Sequence, residues 1–388
     1  MLMNSRKKIV HVITGVGQGG AETVLLRLTS GLTDFDHCVI SLTPIDSNGL
    51  GPLFNEHKIP LLSLEMNPRN PFSLFKIWKL KKILQQEKPA ILQTWMYHAN
   101  LIGGIAGRMA GISRIIWNIR NGALEPGGDT GKKLNLSTKI GWVAKLGALT
   151  SQFLPHHIIS CSERAAEIHK KWGYAKTKFH IIHNGISISD FKPDKQARKQ
   201  IRDTLQIDIN TKVIGLIGRY HPQKDIPTFL KTAHILCKNR EDIKFILVGT
   251  NLSSTNKELI AEIKKLGLEK SVLLLGKRQD ISNILNAFDV LCSSSSFGEA
   301  FPNVVAEAMS CGVPCVVTDV GDSANIVGDL GIVVLPSSPE QMATACLKIL
   351  ETPPSPKKIQ ERINNHFSLD KMVGNYKKFY YVSETLKK

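Results

Sequence analysis

The chain has 388 residues, 42% hydrophobic and 21% charged, which excludes a disordered or fibrous polymer and suits two cores of about 150–200 residues each. The formal net charge is +17, with 23 Lys and Arg against 12 Asp and Glu in residues 1–190 and 27 against 21 beyond them. Such an excess serves nucleic acid, an anionic membrane, an anionic small substrate or simple solubility.

The first residues run straight into an apolar strand with no apolar h-region or cleavage site, so no secretory signal is expected. No uncharged apolar stretch reaches the ~18 residues of a membrane span. The seven cysteines are scattered, mostly in apolar runs. They read as buried thiols of a reducing compartment, not as disulfides or zinc ligands.

In chain order, an apolar run predicts a strand over 9–14, then a helix over 22–31. Further strands are predicted at 39–42, 90–94, 114–119, 157–160 and 179–182, with helices at 74–85 and 98–110. Short apolar strands alternating with helices point to parallel βαβ units covered on both faces. Lys192-Pro193-Asp194 and a polar helix over 195–205 mark a junction, and the pattern restarts. Strands follow at 213–218, 245–248, 272–275, 290–293, 315–318 and 332–335, with a helix at 227–237. The boundary is placed near residue 190: domain 1–190, then domain 191–366, with a C-terminal helix over about 367–388 expected to pack back on the first domain. The proline-rich run 352–356 reads as a hinge before the last helices.

Gly15-x-Gly17-x-x-Gly20 follows the first strand and opens a helix, the spacing of a dinucleotide fingerprint. The second strand, however, ends Ile40-Ser41-Leu42-Thr43-Pro44, without the acidic residue that would hold a ribose. An NAD-dependent enzyme is therefore a minor alternative. A glycine loop at a helix N-terminus still allows close approach of backbone N–H groups to an anion.

The strongest signal is Phe297-Gly298-Glu299-Ala300-Phe301-Pro302-Asn303-Val304-Val305-Ala306-Glu307-Ala308 after the strand at 290–293. Pro302 suits the first turn of a helix. That puts Glu299 in the preceding loop and Glu307 inside the helix, both at the carboxyl end of a parallel strand where open α/β sheets bind ligands. The helix start favours a phosphate. Two carboxylates beside an anion site suit sugar hydroxyls.

Six short motifs occur in order: Gly19-Gly20-Ala21-Glu22, His183-Asn184-Gly185-Ile186, Gly218-Arg219 with Lys224-Asp225, Gly276-x-x-x-Asp280, the Glu299/Glu307 pair, and Thr318-Asp319-Val320-Gly321. Together they span nearly the whole chain and resemble retaining glycosyltransferase family 4, of the bacterial lipopolysaccharide and exopolysaccharide type. The resemblance implies a GT-B α/β fold, two Rossmann-like domains facing a cleft. It implies transfer of a sugar from a UDP-sugar or GDP-sugar to a hydroxyl, with retained configuration, by a front-face mechanism in which the leaving phosphate helps deprotonate the acceptor.

By position, Glu307 would hold the donor ribose and Glu299 the transferred sugar. Arg219 and Lys224, next to Gly218, would clamp the diphosphate without a metal or other cofactor. Backbone around Lys277 and Arg278 would read the base. Phe301, Asn303 and Val304 would lie at the donor, and Gly17, Gly19 and Gly20 would approach the diphosphate. His98 would face the donor sugar, and Arg120 and Asn121 would touch the acceptor. Four residues after Gly321, many relatives carry a glutamate where this chain has Asn325.

Two segments mix basic and apolar residues. One interleaves Phe72, Phe75, Trp78, Leu80 and Ile83 with Lys76, Lys79, Lys81 and Lys82. The other, 132–153, holds Lys132, Lys133, Lys139 and Lys145 with Leu134, Leu136, Ile140, Trp142, Val143, Leu146 and Leu149. Their apolar faces belong either to core or to a membrane interface. The expected partners are a nucleotide sugar, a lipid-linked saccharide acceptor and an anionic membrane, with the protein peripheral on the cytoplasmic face of the plasma membrane. A sugar synthase with a small soluble acceptor is the alternative. A phosphorylase would need a pyridoxal-phosphate lysine site that is not identifiable. No nucleic-acid partner is expected, since no recognised module or aromatic platform is present.

Overall fold

The computed structural model describes residues 6–47, 49–67, 75–124 and 138–385. Of the basic apolar segments, Phe72 and residues 132–137 lie outside the described residues. The chain divides into two units. The first takes the described residues as far as Gly185 and again from Leu369, and the second runs from Ile186 to Ser368.

The first unit carries β1 (Lys8–Ile13), β2 (Asp36–Ser41), β3 (Leu61–Ser63), β4 (Ile91–Trp95), β5 (Ile115–Ile119), β6 (His157–Ser160) and β7 (Phe179–Ile181). They form one sheet in the order β3-β2-β1-β4-β5-β6-β7, and every pairing is parallel. The connecting helices are α1 (Gly20–Gly31), α2 (Gly51–Glu56), α3 (Lys76–Glu87), α4 (Tyr97–Met109), α5 (Lys139–Thr150) and α6 (Glu163–Lys171). One sheet face is covered by α3, α4 and α5 through Leu80, Leu84, Ala99, Ala106 and Ala148. Because both faces are covered, the strands read as near-continuous apolar runs. The run KIVHVI of β1 is buried from its second residue onward.

The second unit opens with α7 (Lys195–Thr204) and has β8 (Lys212–Ile217), α8 (Ile226–Cys237), β9 (Ile243–Val248), α9 (Lys257–Lys265), β10 (Val272–Gly276), α10 (Ile281–Ala287), β11 (Val290–Ser293), α11 (Asn303–Ser310), β12 (Cys315–Thr318), α12 (Ser323–Val327) and β13 (Ile332–Val334). Its parallel sheet has the order β10-β9-β8-β11-β12-β13. Helices α13 (Pro339–Glu351) and α14 (Pro356–Phe367) follow. Residues 352–355 link α13 to α14 within this unit, ahead of the last two helices, where the proline-rich run was expected. Asp194 caps α7 by accepting from the N–H groups of Gln196 and Ala197, both at 2.9 Å.

Helix α15 (Leu369–Thr385) returns to the first unit. Its Met372, Tyr376 and Tyr380 join Val24, Leu25 and Phe54 in the core on the face opposite α3–α5. The expected strands lie within three residues of those observed at either end. β3, with three residues, and α2, with six, were not anticipated because so short an element sets no periodicity.

All seven thiols are free, and six are buried. Sγ of Cys292 lies 3.3 Å from Sγ of Cys346, a proximity that their separation in sequence hid. Among the described residues no helix is long and apolar enough to cross a membrane.

Candidate active site

In an open parallel sheet, ligands bind beyond the carboxyl ends of the strands where the strand order reverses. That point lies between β8 and β11 in the second sheet and between β1 and β4 in the first.

Beyond β8 the chain passes Gly218 and Arg219 into a tight turn, Pro222–Lys224. Asp225 then turns left-handed (φ 45, ψ 56) and caps α8, accepting from the N–H and hydroxyl of Thr228. Beyond β11 runs a polar stretch, Ser293–Ser296. The Ser294 hydroxyl donates to the Lys224 carbonyl at 2.7 Å, and the Ser296 N–H to the Gln223 carbonyl at 2.9 Å. These bonds fasten the two loops side by side.

The result is a buried ion pair. Lys224 Nζ donates to Glu299 Oε1 at 2.6 Å, and Ser295 Oγ donates to the same oxygen at 2.9 Å. Glu299 is 9% exposed. Burial is the largest influence on its carboxyl and opposes ionisation. The Lys224 charge, the bonds from Lys224 and Ser295, and the Arg219 charge together outweigh it and hold the pKa below the ordinary value. Arg219 is exposed, with Nη2 donating to Gln223 Oε1 at 3.1 Å.

Two glycines make this packing possible. At Gly249 (φ 142) a Cβ would fall 1.7 Å from the Gly218 carbonyl oxygen, and at Gly321 (φ 58) 2.5 Å from that of Glu299. No side chain fits at either position.

Helix α11 starts at Asn303 with Pro302 as its cap, one residue before the first turn where the proline was expected. Glu307 lies in the second turn, half-buried, with Asn303 and Val304 at the start. Phe301 is buried edge-on against Phe367, with ring centroids 5.4 Å apart, so its side chain serves the core. Past β10, Lys277 is exposed, and Arg278 forms a two-pronged pair with Asp280 at 2.8 and 2.6 Å. Asp322 is buried, its N–H donating to the Ala300 carbonyl at 2.8 Å, while Asn325 is exposed.

In the first unit, the glycine loop leads from β1 into α1. A Cβ on Gly17 would meet open space, whereas one on Gly19 would meet the Glu22 carboxylate at 2.3 Å. Gly20 begins the helix. At the end of β4, Met96 adopts φ 72, ψ 165, a region nearly restricted to glycine that costs about 1–3 kcal/mol. The strained turn is held by Asn100, whose N–H donates to the Met96 carbonyl at 2.8 Å. Asn100 Nδ2 in turn donates to the Asn118 carbonyl at 3.0 Å. His98 follows, exposed, its pKa lowered by partial desolvation.

Arg120 is held inside the first unit by several partners. Its guanidinium donates to Asn184 Oδ1 at 2.5 Å, Asn118 Oδ1 at 3.1 Å and the Tyr376 hydroxyl at 2.5 Å, and lies 4.6 Å from the centroid of the Trp95 ring. It ties β5 and α15 to the end of the unit. Asn121, next along the chain, is half-buried.

Arg219, Lys224 and Glu299 thus share one cluster in the second unit. Gly17, Gly19, Gly20, His98, Arg120 and Asn121 belong to the first. Ser295, Gln223 and Gly249 complete the cluster and were not singled out from sequence. The signal for Ser295 was a run of four serines, Ser293–Ser296, that begins at the end of an otherwise apolar strand.

Residues 18–190 match the family model for Glycosyltransferase Family 4, and residues 197–366 that for Glycosyl transferases group 1. The chain is 26% identical over 314 residues to the UDP-Gal:alpha-D-GlcNAc-diphosphoundecaprenol alpha-1,3-galactosyltransferase of Escherichia coli, covering 78% of this chain and 77% of that one. It is 25% identical to the putative glycosyltransferase EpsF of Bacillus subtilis, covering 81% and 80%. The crystal structure of Anabaena HepE in complex with UDP and glucose superposes with a TM-score of 0.82 at 20% identity, over 98% of this chain and 99% of that one. Two parallel-sheet units, a motif-bearing strand reversal in each, and family matches over both halves lead to one conclusion: the chain belongs to the family 4 type glycosyltransferases of GT-B fold, enzymes that transfer a sugar from a nucleotide sugar.

Proposed function

We propose that this enzyme moves a hexose from a UDP-sugar or GDP-sugar to a hydroxyl of a lipid-linked saccharide, with retention of configuration, in the synthesis of a cell-surface polysaccharide. The observation that carries this reading is the Lys224–Glu299 pair with Arg219 at the strand reversal of the second unit. The lipid-linked acceptor follows the name of the Escherichia coli relative, and a nucleoside diphosphate donor follows HepE, solved with UDP and glucose.

The donor diphosphate gains negative charge as the glycosidic bond breaks. Arg219 and Lys224 offer fixed positive charge there, preorganised by the bonds between the two loops. This makes transfer metal-independent. Glu299, ionised at neutral pH, accepts hydrogen bonds from hydroxyls of the transferred sugar. Glu307, one and a half turns along α11, holds the ribose hydroxyls. Asn303 and Val304 lie at the positive end of the α11 dipole, beside the phosphates. The backbone at Lys277 and Arg278, shaped by the Arg278–Asp280 pair, borders the base. In the first unit, His98 follows a strained turn that over-determines its position, as befits a group aimed at substrate. No protein base is required: the leaving phosphate oxygen takes the acceptor proton, and the enzyme supplies positioning and electrostatics. Such an enzyme works peripherally at the cytoplasmic face of an anionic membrane.

The test has two parts. A panel of nucleotide sugars, assayed for release of UDP or GDP with and without membrane extract, identifies the donor. Stimulation only by a soluble sugar would replace the lipid-linked acceptor with a small soluble one. Calorimetric titration of the nucleoside diphosphate should show no measurable binding to Glu307→Ala, and wild-type binding by that variant would remove Glu307 from the ribose.

A further inference from the structure

Helix α5 is packed inside out. Its buried stripe is Gly141, Ala144, Gly147 and Ala148. The Gly147 backbone lies so close to Tyr174 that a Cβ would come within 2.5 Å of the phenol oxygen. The opposite stripe is large and apolar: Trp142, Leu146, Leu149 and, in the turn beyond the helix, Phe153 are 55%, 45%, 58% and 61% exposed. Steps of four, three and four residues keep them on one side of the axis. Scattered exposed hydrophobic residues are ordinary, but an aligned row of four is the mark of an interaction surface.

The row does not stand alone. Arg108 of α4 donates to the carbonyls of Phe153 at 2.7 Å and Leu154 at 2.9 Å, which fixes the turn presenting Phe153. On the other flank of α4, α3 buries Leu80 and Leu84 and turns Phe75, Trp78, Lys79 and Lys82 to solvent. Helices α3 and α5 both pack against α4, so the three form one layer on one face of the sheet. Its charge has one sign. Helix α3 carries Lys76, Lys79, Lys81 and Lys82, and α5 carries Lys139 and Lys145. The only acidic residue in the three helices, Glu87, is bonded to Lys8 at 2.9 Å.

We propose that the α3–α4–α5 layer seats the enzyme on an anionic lipid bilayer. The Trp142–Leu146–Leu149–Phe153 row enters the headgroup region, and the flanking lysines meet lipid phosphates. Charge selects this occupant over a second copy of the chain, which would bring two cationic faces together. The purpose of the contact rests on the reading of the acceptor as lipid-linked; the contact itself needs no nucleotide sugar and no turnover.

The test is flotation of the full chain with vesicles of phosphatidylcholine, with and without phosphatidylglycerol, in the absence of donor. Binding to the anionic vesicles is expected, weakened about tenfold or more by Trp142→Ser/Leu146→Ser/Leu149→Ser, by Lys79→Ala/Lys82→Ala and by high salt. Unchanged release of nucleoside diphosphate from donor without vesicles certifies that each variant is folded. Binding with no transfer to lipid-linked saccharide would remove the proposed acceptor while supporting this surface. Failure of the wild type to float, or equal flotation by the triple serine variant, would overturn the proposal. A dimer abolished by the serine substitutions, with no vesicle binding, would overturn it too.

Discussion

Glu299 is buried, and its charge persists chiefly because Lys224 is 2.6 Å away, with Ser295 and Arg219 assisting. Removing one partner of such a pair leaves an uncompensated charge, at a cost of about 3–5 kcal/mol, whereas replacing both is often nearly neutral. Lys224→Met should therefore unfold at lower urea than the Lys224→Met/Glu299→Gln double variant. The pH dependence follows in sign. In the wild type the carboxyl pKa is depressed, so its contribution to stability is present above the ordinary carboxylate pKa and lost as pH falls through the depressed one. In Lys224→Met only Ser295 and Arg219 still oppose burial, so the carboxyl pKa should rise and the deficit of that variant shrink as the medium is acidified. A deficit independent of pH would mean the pair is not coupled as the geometry indicates. Catalytically, Lys224→Met and Arg219→Ala should each lower kcat by about 10²-fold, the scale for loss of one preorganised charge. Wild-type activity should survive EDTA; full inhibition reversed by Mn²⁺ would assign the diphosphate to a metal.

Among the elements, α7 is held by its charges. Asp289, just before β11, accepts from Arg198 and Arg202, each at 2.7 Å, and from the Val213 N–H at 2.7 Å. The Arg202 side chain is only 2% exposed. Asp289→Ala strands that guanidinium and should cost about 3–5 kcal/mol in urea unfolding; a loss below 1 kcal/mol would show that the carbonyls around Arg202 suffice. Elements of this kind differ in how far sequence reveals them. Strands such as 290–293 and 315–318 were legible because a strand covered on both faces is a short uninterrupted apolar run. The orientation of α5 was not, because its glycines and alanines and its large residues are all apolar, and hydropathy does not say which set faces inward. The same held within the site. Glu299, Glu307, Arg219 and Lys224 stood out as spaced motifs, but Ser294 and Gln223 act through bonds that join loops about 70 residues apart, and Ser295 shows its part only in its bond to Glu299. Arg120 reads from sequence as a strand-end residue, but its bonds to Asn184 and Tyr376, 64 and 256 residues away, are not legible there.

Across the molecule, the two units should answer acid differently. In the first unit His11, His37, His157, His169 and His180 all have lowered pKa values, burial being the largest cause for each. His169 is wholly buried, hydrogen-bonded to Ala165 and Tyr97, and falls from 6.5 to about 4. The unfolded chain then binds more protons than the folded one, so stability is full above the unfolded pKa and is lost as pH drops from 6.5 toward 4. For His169 alone the loss approaches about 3 kcal/mol at the bottom of that window. The second unit has one histidine of this kind, His221, at its surface. Hydrogen exchange at pH 5 should therefore show the first unit opening while the second stays protected, and equal protection would refute this.

The return of α15 also bears on how the protein is made. Tyr376 and Tyr380 are fully buried among Val24, Leu25 and Phe54, residues synthesised more than 300 positions earlier. On the ribosome, the half that emerges first cannot close its core until the second half has been translated. The second unit, continuous from Ile186 to Ser368, has all its parts before then. Domains usually fold in the order they are synthesised; here the first-born half waits, an open sheet with its partner helix still unmade, and is the nascent segment most in need of a chaperone.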